Sequence, residues 1–297
     1  MTIAPTDIPL FDELWDYNDP ASTEQRLREL LPQVEAGKDK NRLAQLLTQI
    51  ARTHSLRRQF DLAHNLLDQV ETMLTADWPV ARIRYWLERG RCYNSAGEKA
   101  AARPFFQQAF QLAEAIGADF YAIDAAHMLA IVELAPQDQM AWNRKALALA
   151  EQTSNQRARQ WQGSLTNNIG WTYFSSGDYE NGLLLFQKAL HWQQYEAEPR
   201  QEDRIRLAKW CVGRVRRALG QVAEALALQQ TLLAELEAIG EVDGHVFEEI
   251  AECYLLLEQP DAARPFFSQA YELLAADAWL IKHEPERLAR LQQLGQL

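Results

Sequence analysis

Asn167 and Asn168 stand side by side in a stretch whose apolar residues recur at helical spacing. An asparagine amide competes for backbone hydrogen bonds, so a pair inside a helix points to a task beyond folding. One amide donates and accepts at once, matching the C=O and N–H of a peptide unit. Steps of three and four extend the stripe through Ser164, Trp171 and Phe174. Trp210, Arg214 and Arg217 form a second stripe. An indole offers flat apolar contact at low entropy cost, and two arginines hold a carboxylate in a fork. Further stripes are Thr48, Gln49, Arg52 and Ser55; Arg84, Glu88, Arg91 and Asn94; Asp124, His127 and Ile131; and Glu248, Glu249 and Glu252. Each also has a purely structural reading. The asparagines suit solvated surface or capping, and Trp171 and Trp210 suit packing against a neighbouring helix. Glu88 between Arg84 and Arg91 makes an ordinary ion-pair ladder. The three glutamates suit solvent.

Catalytic chemistry has no comparable signal. The six histidines, His54, His64, His127, His191, His245 and His283, are scattered, with no His-Glu-x-x-His pair. There is no Cys-x-x-Cys, no glycine-rich phosphate loop and no Gly-x-Ser-x-Gly elbow. His283-Glu-Pro-Glu reads as a helix start because Pro285 suits a first helical turn. Cys92 and Cys253 adjoin Tyr93 and Tyr254, as small buried hydrophobes would. The expectation is no catalytic residue, no cofactor and no metal site.

Leu, Ala and Gln dominate the 297 residues, while Gly and β-branched residues are sparse, which favours an all-helical chain. Hydrophobic residues at 47% supply a core, and the net charge of −11 disfavours nucleic acid as a partner. No apolar run spans a bilayer and no leader is evident, so neither membrane nor export is expected. Three isolated cysteines fit a reducing cytoplasm.

The elements that position the stripes come from an internal repeat. Small residues recur at Ala51, Gly90, Ala130, Gly170, Gly213 and Ala251. Their separations stay near 40 residues: 39 from Ala51 to Gly90, 80 over two units to Gly170, then 43 and 38. Each unit reads as helix, tight turn, helix. In the best unit Gly170 and Tyr173 precede Gly177, Tyr179, Phe186 and Ala189. Gly177 supplies a positive φ at the turn, and Asp178 caps the next helix. The unit with Trp86, Gly90, Tyr93, Gly97, Ala102, Phe106 and Ala109 is nearly as clear. The third unit has a shortened turn at Ala135-Pro136 and no turn glycine.

This pattern resembles the tetratricopeptide repeat, in a long-helix variant of about forty residues, over roughly residues 40–275. Gly182 stands where the family carries alanine. The resemblance implies an all-α, right-handed superhelical solenoid with helical caps. It divides the chain into a docking segment and cap helix at 1–40, six hairpins at 41–275, and a cap helix at 276–297. In the first part Ile8-Pro-Leu-Phe11 and Leu14-Trp15 are expected to dock on the first repeat. A capping box from Ser22 to Gln25 is expected to start a helix that runs to about Ala36. No linker is evident, so the chain reads as one continuous stack.

The family places first helices along a concave groove that binds peptides or helices. Asn167, Asn168, Trp171, Trp210, Arg214, Arg217, Arg84, Arg91 and His127 then become candidate groove residues. That groove would be cationic in parts of its centre and acidic at its C-terminal end. The implied role is a non-catalytic interaction module for a protein or peptide partner. The alternatives are a self-associating scaffold, with homo-oligomers, and a sensor subunit of a bacterial regulatory system.

Overall fold

The computed structural model describes residues 11–296, and all regular structure among them is helical. Residues Ile8 to Leu10 of the expected docking segment lie outside the described residues. The chain forms two compact units, Met1–Trp161 and Gln162–Leu297. The boundary falls inside a helix, so no linker composition could mark it.

The first unit opens with a 3-10 turn, Phe11–Leu14, then α1 (Pro20–Glu29) and α2 (Leu31–Ala36). Three helical pairs follow: α3 (Lys40–Leu56) with α4 (Phe60–Met73), α5 (Pro79–Ser95) with α6 (Lys99–Ala115), and α7 (Asp119–Val132) with α8 (Pro136–Gln152). A single turn, α9 (Gln156–Arg159), ends it. In the second unit α10 (Trp161–Ser175), which begins one residue before the boundary, precedes α11 (Tyr179–Tyr195). Then α12 (Glu202–Ala218) pairs with α13 (Val222–Glu237), and α14 (Gly244–Leu256) with α15 (Pro260–Leu274). The last elements are α16 (Ala278–His283) and α17 (Pro285–Gln296), with α17 packed on α15. No helix among the described residues is long and apolar enough to cross a membrane.

Helix ends follow local chemistry. Gly177 has φ 80°, and the Asp178 carboxylate accepts from the Asn181 backbone N–H at 3.2 Å. The first helix departs from its expected capping box. Asp19, not Ser22, is the cap and accepts from the Ser22 N–H at 3.0 Å. The helix breaks at Leu30 because Pro32 has no N–H to continue the ladder, so 20–36 becomes two helices. Pro285 begins α17, whose Leu288 and Leu291 enter the same core as Phe267 and Leu274.

The hairpins are set by a close contact between residues sixteen positions apart. A Cβ on Gly90 would lie 2.6 Å from the Phe106 ring, and one on Gly170 would lie 2.8 Å from the Phe186 ring. On Gly213 it would meet the Gln229 amide at 2.4 Å. Ala51 with Leu67, and Ala251 with Phe267, keep the spacing and share cores. Backbone thus approaches a large side chain where no room remains for another carbon.

Gly170→Leu is therefore expected to lower stability, although leucine is the better helix former by nearly 1 kcal/mol. Phe186 is fully buried and cannot swing into solvent. Overpacking should cost on the order of 1–3 kcal/mol or more. Thermal denaturation followed by circular dichroism measures it, and a raised melting temperature would contradict the contact.

Candidate functional site

In the second unit, α10 and α12 bring the two asparagines and the tryptophan–arginine stripe together. Trp171 lies 5.1 Å from the Phe186 ring and 5.9 Å from Trp210, centroid to centroid. Trp210 donates its indole N–H to the His245 carbonyl at 3.2 Å. Both indoles are half-buried packing groups. Arg214 lies 5.3 Å over the Trp210 ring.

The arginine fork is present, but its carboxylate is internal. Arg214 Nη1 donates to Glu249 Oε1 at 2.8 Å, and Arg217 Nε donates to Oε2 at 2.7 Å. Glu249 is only 1% exposed. Arg287 Nε holds Glu248 at 2.9 Å, and Arg290 Nη2 reaches Glu252 at 3.2 Å. The separate cationic and acidic zones expected of this face are thus replaced by pairs. Neighbouring helices set their charges opposite one another, and a buried carboxylate needs such partners. Burial would raise the Glu248 carboxyl, but hydrogen bonds from His245 and Arg287 and the Arg287 charge outweigh it and hold it at about 2.

Asn167 and Asn168 line an open cleft of about 250 Å³ together with Ser164, Gln193, Arg204 and Leu207. The Cys211 thiol contacts Asn167 Oδ1 at 3.5 Å. Among the described residues the Asn168 side-chain amide has no hydrogen-bond partner. Leu207, 53% exposed, also borders a second cleft of about 390 Å³. Trp210, Leu236, Val242 and Val246 give that cleft an apolar wall, and Asp203 and Glu241 lie among its charged lining. Gln193, Arg204, Leu207 and Val242 had not been singled out in the sequence. Gln193 lies on a second helix, and Leu207 reads as an ordinary apolar helix position.

In the first unit the other candidates form a ladder across α3, α5 and α7. Arg52 Nη1 meets Glu88 at 3.2 Å, Glu88 meets Arg91 at 2.7 Å, and Arg91 Nη2 meets Asp124 Oδ2 at 2.6 Å. His127 packs 5.3 Å from the Trp161 ring, and its Nδ1 has no hydrogen-bond partner among the described residues. Burial and the Arg91 charge lower its pKa against the opposing pull of Asp124. Arg84 leaves the ladder. It forks onto Asp12, which Arg157 also reaches at 3.0 Å. Asp12 had no sequence signal, because Arg84 lies 72 residues away and the segment has no periodicity.

All three cysteines are unpaired and buried, and burial pushes the Cys211 and Cys253 thiols up to about 12. Such thiols are poor nucleophiles at neutral pH. Among the described residues no group of His, Cys, Asp and Glu converges as metal ligands would.

The tetratricopeptide repeat family profile matches residues 83–116 and 165–195. These stretches fall on α5–α6 and α10–α11, the two units with the clearest glycine–aromatic spacing. These two hairpins match the tetratricopeptide repeat. No curated protein matches the sequence significantly. Solved structures extend the likeness of fold. BtubC from P. vanneervenii has a TM-score of 0.61 at 15% identity, over 80% of this chain and 94% of that one. The apo quorum sensor NprR from B. thuringiensis has 0.63 at 13%, over 96% and 79%. NprR with its cognate peptide NprX has 0.52 at 14%, over 96% and 81%. Here α3, α5, α7, α10, α12 and α14 are the first helices of the six helical pairs, and they carry every candidate groove residue named in the sequence.

Two outcomes test the charge pairing. Glu248 has its ordinary carboxyl value of 4.5 when unfolded and about 2 when folded. Its contribution is therefore full above about pH 4.5 and is lost as the pH falls toward 2. Glu248→Gln should flatten the fall in melting temperature over that interval relative to the parent protein. Parallel acid limbs would refute the pairing. Arg214→Glu should lower stability by on the order of 3 kcal/mol, since it sets a second carboxylate against buried Glu249. Urea denaturation measures this.

Proposed function

We propose that this chain is a non-catalytic interaction module whose second unit holds an extended segment of a protein partner across the two clefts beside Leu207. One observation carries the reading. A neutral asparagine amide without a partner among the described residues lines one cleft, and an apolar wall lines the next. Asn168 suits a backbone peptide unit, which presents a donor and an acceptor to any sequence. The wall of Trp210, Leu236, Val242 and Val246 suits an apolar side chain further along the segment. Arg204 and Arg206 add charge at the edges. NprR, a structural neighbour, was solved with a cognate peptide, which supports a peptide reading of this fold. Arg214 and Arg217 are given a different part here from the one their spacing implied. They hold Glu249 and stiffen the floor beneath Trp210. Arg84, Arg91 and His127 belong to the first unit and take no part in these clefts. The buried thiols fit a cytoplasmic setting.

Selection from a display library of random peptides tests the reading, followed by fluorescence anisotropy on the enriched sequences. Asn168→Ala should weaken all of them by a similar factor, about fivefold for a hydrogen bond of about 1 kcal/mol. Leu207→Asp should weaken them further. Neither change should move the melting temperature appreciably, because both side chains line open clefts. Enriched peptides that bind both variants unchanged would overturn the proposal, as would a library that yields none.

A further inference from the structure

The face formed by α3, α5 and α7 in the first unit already has an occupant. Segment Phe11–Tyr17 of the same chain lies against it. Arg84 from α5 forks onto the Asp12 carboxylate, and Arg157 from α9 reaches it at 3.0 Å. Three residues on, the Trp15 indole donates to Gln49 Oε1 of α3 at 2.9 Å. Arg52 covers both the Trp15 and Tyr17 rings at 5.8 Å. Tyr17 stacks on Trp15 and is 63% exposed. These are the contacts of a bound peptide: a carboxylate in a two-arginine clamp, then an aromatic group on a polar and cationic platform.

We propose that this face is a second peptide site, self-occupied in this structure, whose ligand in trans is a short segment carrying a carboxylate followed three residues later by an indole. The clamp sets that chemistry. Arg84 is 6% exposed, with its guanidinium 5.3 Å over Tyr121, and its Nε has no partner among the described residues. A cation buried this far needs an anion, and the clamp is indifferent to which chain supplies it. The remaining holds on Asp12–Tyr17 are the Trp15–Gln49 bond, two bonds between the Asp16 backbone and the Thr23 hydroxyl at 3.0 and 3.1 Å, the packing of Leu14, and partly exposed ring contacts, which are individually weak. Phe11 differs. It is 6% exposed among Leu27, Val34, Leu46 and Ile50, and so anchors the segment while the residues beyond it exchange. The proposal does not depend on the clefts of the second unit.

The test uses the full chain and a fluorescein-labelled synthetic peptide of residues 8–19 of this sequence. In the double variant Asp12→Ala, Trp15→Ala the clamp is emptied and Phe11 is kept. Anisotropy should show this variant binding the peptide at least tenfold more tightly than the parent protein, whose site is filled. Arg84→Met in the same background should abolish binding. Asp12→Asn is isosteric and keeps the segment's shape, so it serves should the double variant unfold, and it should show an intermediate gain. A folded variant that fails to bind the peptide overturns the proposal. So does a parent protein that binds equally well, or binding that survives Arg84→Met. In each of those cases the segment is a structural cap.

Discussion

The contact between a small residue on one helix and the side chain sixteen positions later is the constraint on which five of the six hairpins rest. With no Cβ at Gly90 or Gly170, the helix backbone closes to within van der Waals reach of Phe106 or Phe186. The ring then replaces the missing side chain as filler, and it is fully buried in both cases. Gln229 fills the same role against Gly213 by a polar route, donating to the Trp210 carbonyl at 3.1 Å. These contacts lie between the two helices of a pair. Within each unit the opposite side of a first helix is left free to meet the next first helix, which is where the charged and aromatic stripes sit.

Those stripes are held by opposite charges one repeat apart. Arg52 and Glu88 are 36 residues apart, Arg91 and Asp124 are 33, and Arg214 and Glu249 are 35. Within a unit, equivalent positions on successive first helices lie side by side, so a charge on one finds its counter-charge on the next. Each pair is partly withdrawn from water, which strengthens the attraction and also makes removal of one partner costly. Arginine is well suited to this place, because its fork meets one carboxylate from two directions, as Arg217 does on Glu249.

That geometry explains what the sequence disclosed and what it concealed. The hairpin units were legible because their signals are local: Gly170 with Tyr173, the Gly177-Asp178 turn, and Pro285 at the start of α17. Asn167, Asn168 and Leu207 were separable from the core only once a neighbouring helix was in place, since helical spacing alone does not say which face stays open. The pairing of Arg214 and Arg217 with Glu249 did leave a trace, namely opposite charges spaced by about one repeat. Read within one helix, that trace vanishes, and the arginines resemble a vacant anion site. Asp12 left none. It belongs to a segment without periodicity, and its partners lie in α5 and α9. The division at Trp161 and Gln162 was equally silent, because it interrupts no helix.

The two units consequently differ in what their first helices leave unsatisfied. In the second unit every arginine of the central stripe is spent on a carboxylate of the same unit, so the clefts present an amide and an apolar wall. The recognition proposed there rests on shape and backbone hydrogen bonds, which salt screens little. In the first unit the ladder from Arg52 to Asp124 is self-contained, but Arg84 and Arg157 pair with Asp12 instead. The recognition proposed there rests on charge, partly shielded from solvent yet still open to competition by another carboxylate. One repeat thus serves two kinds of surface. The pairing of charges between neighbouring first helices decides which kind each unit becomes, by fixing the arginines that remain to be satisfied.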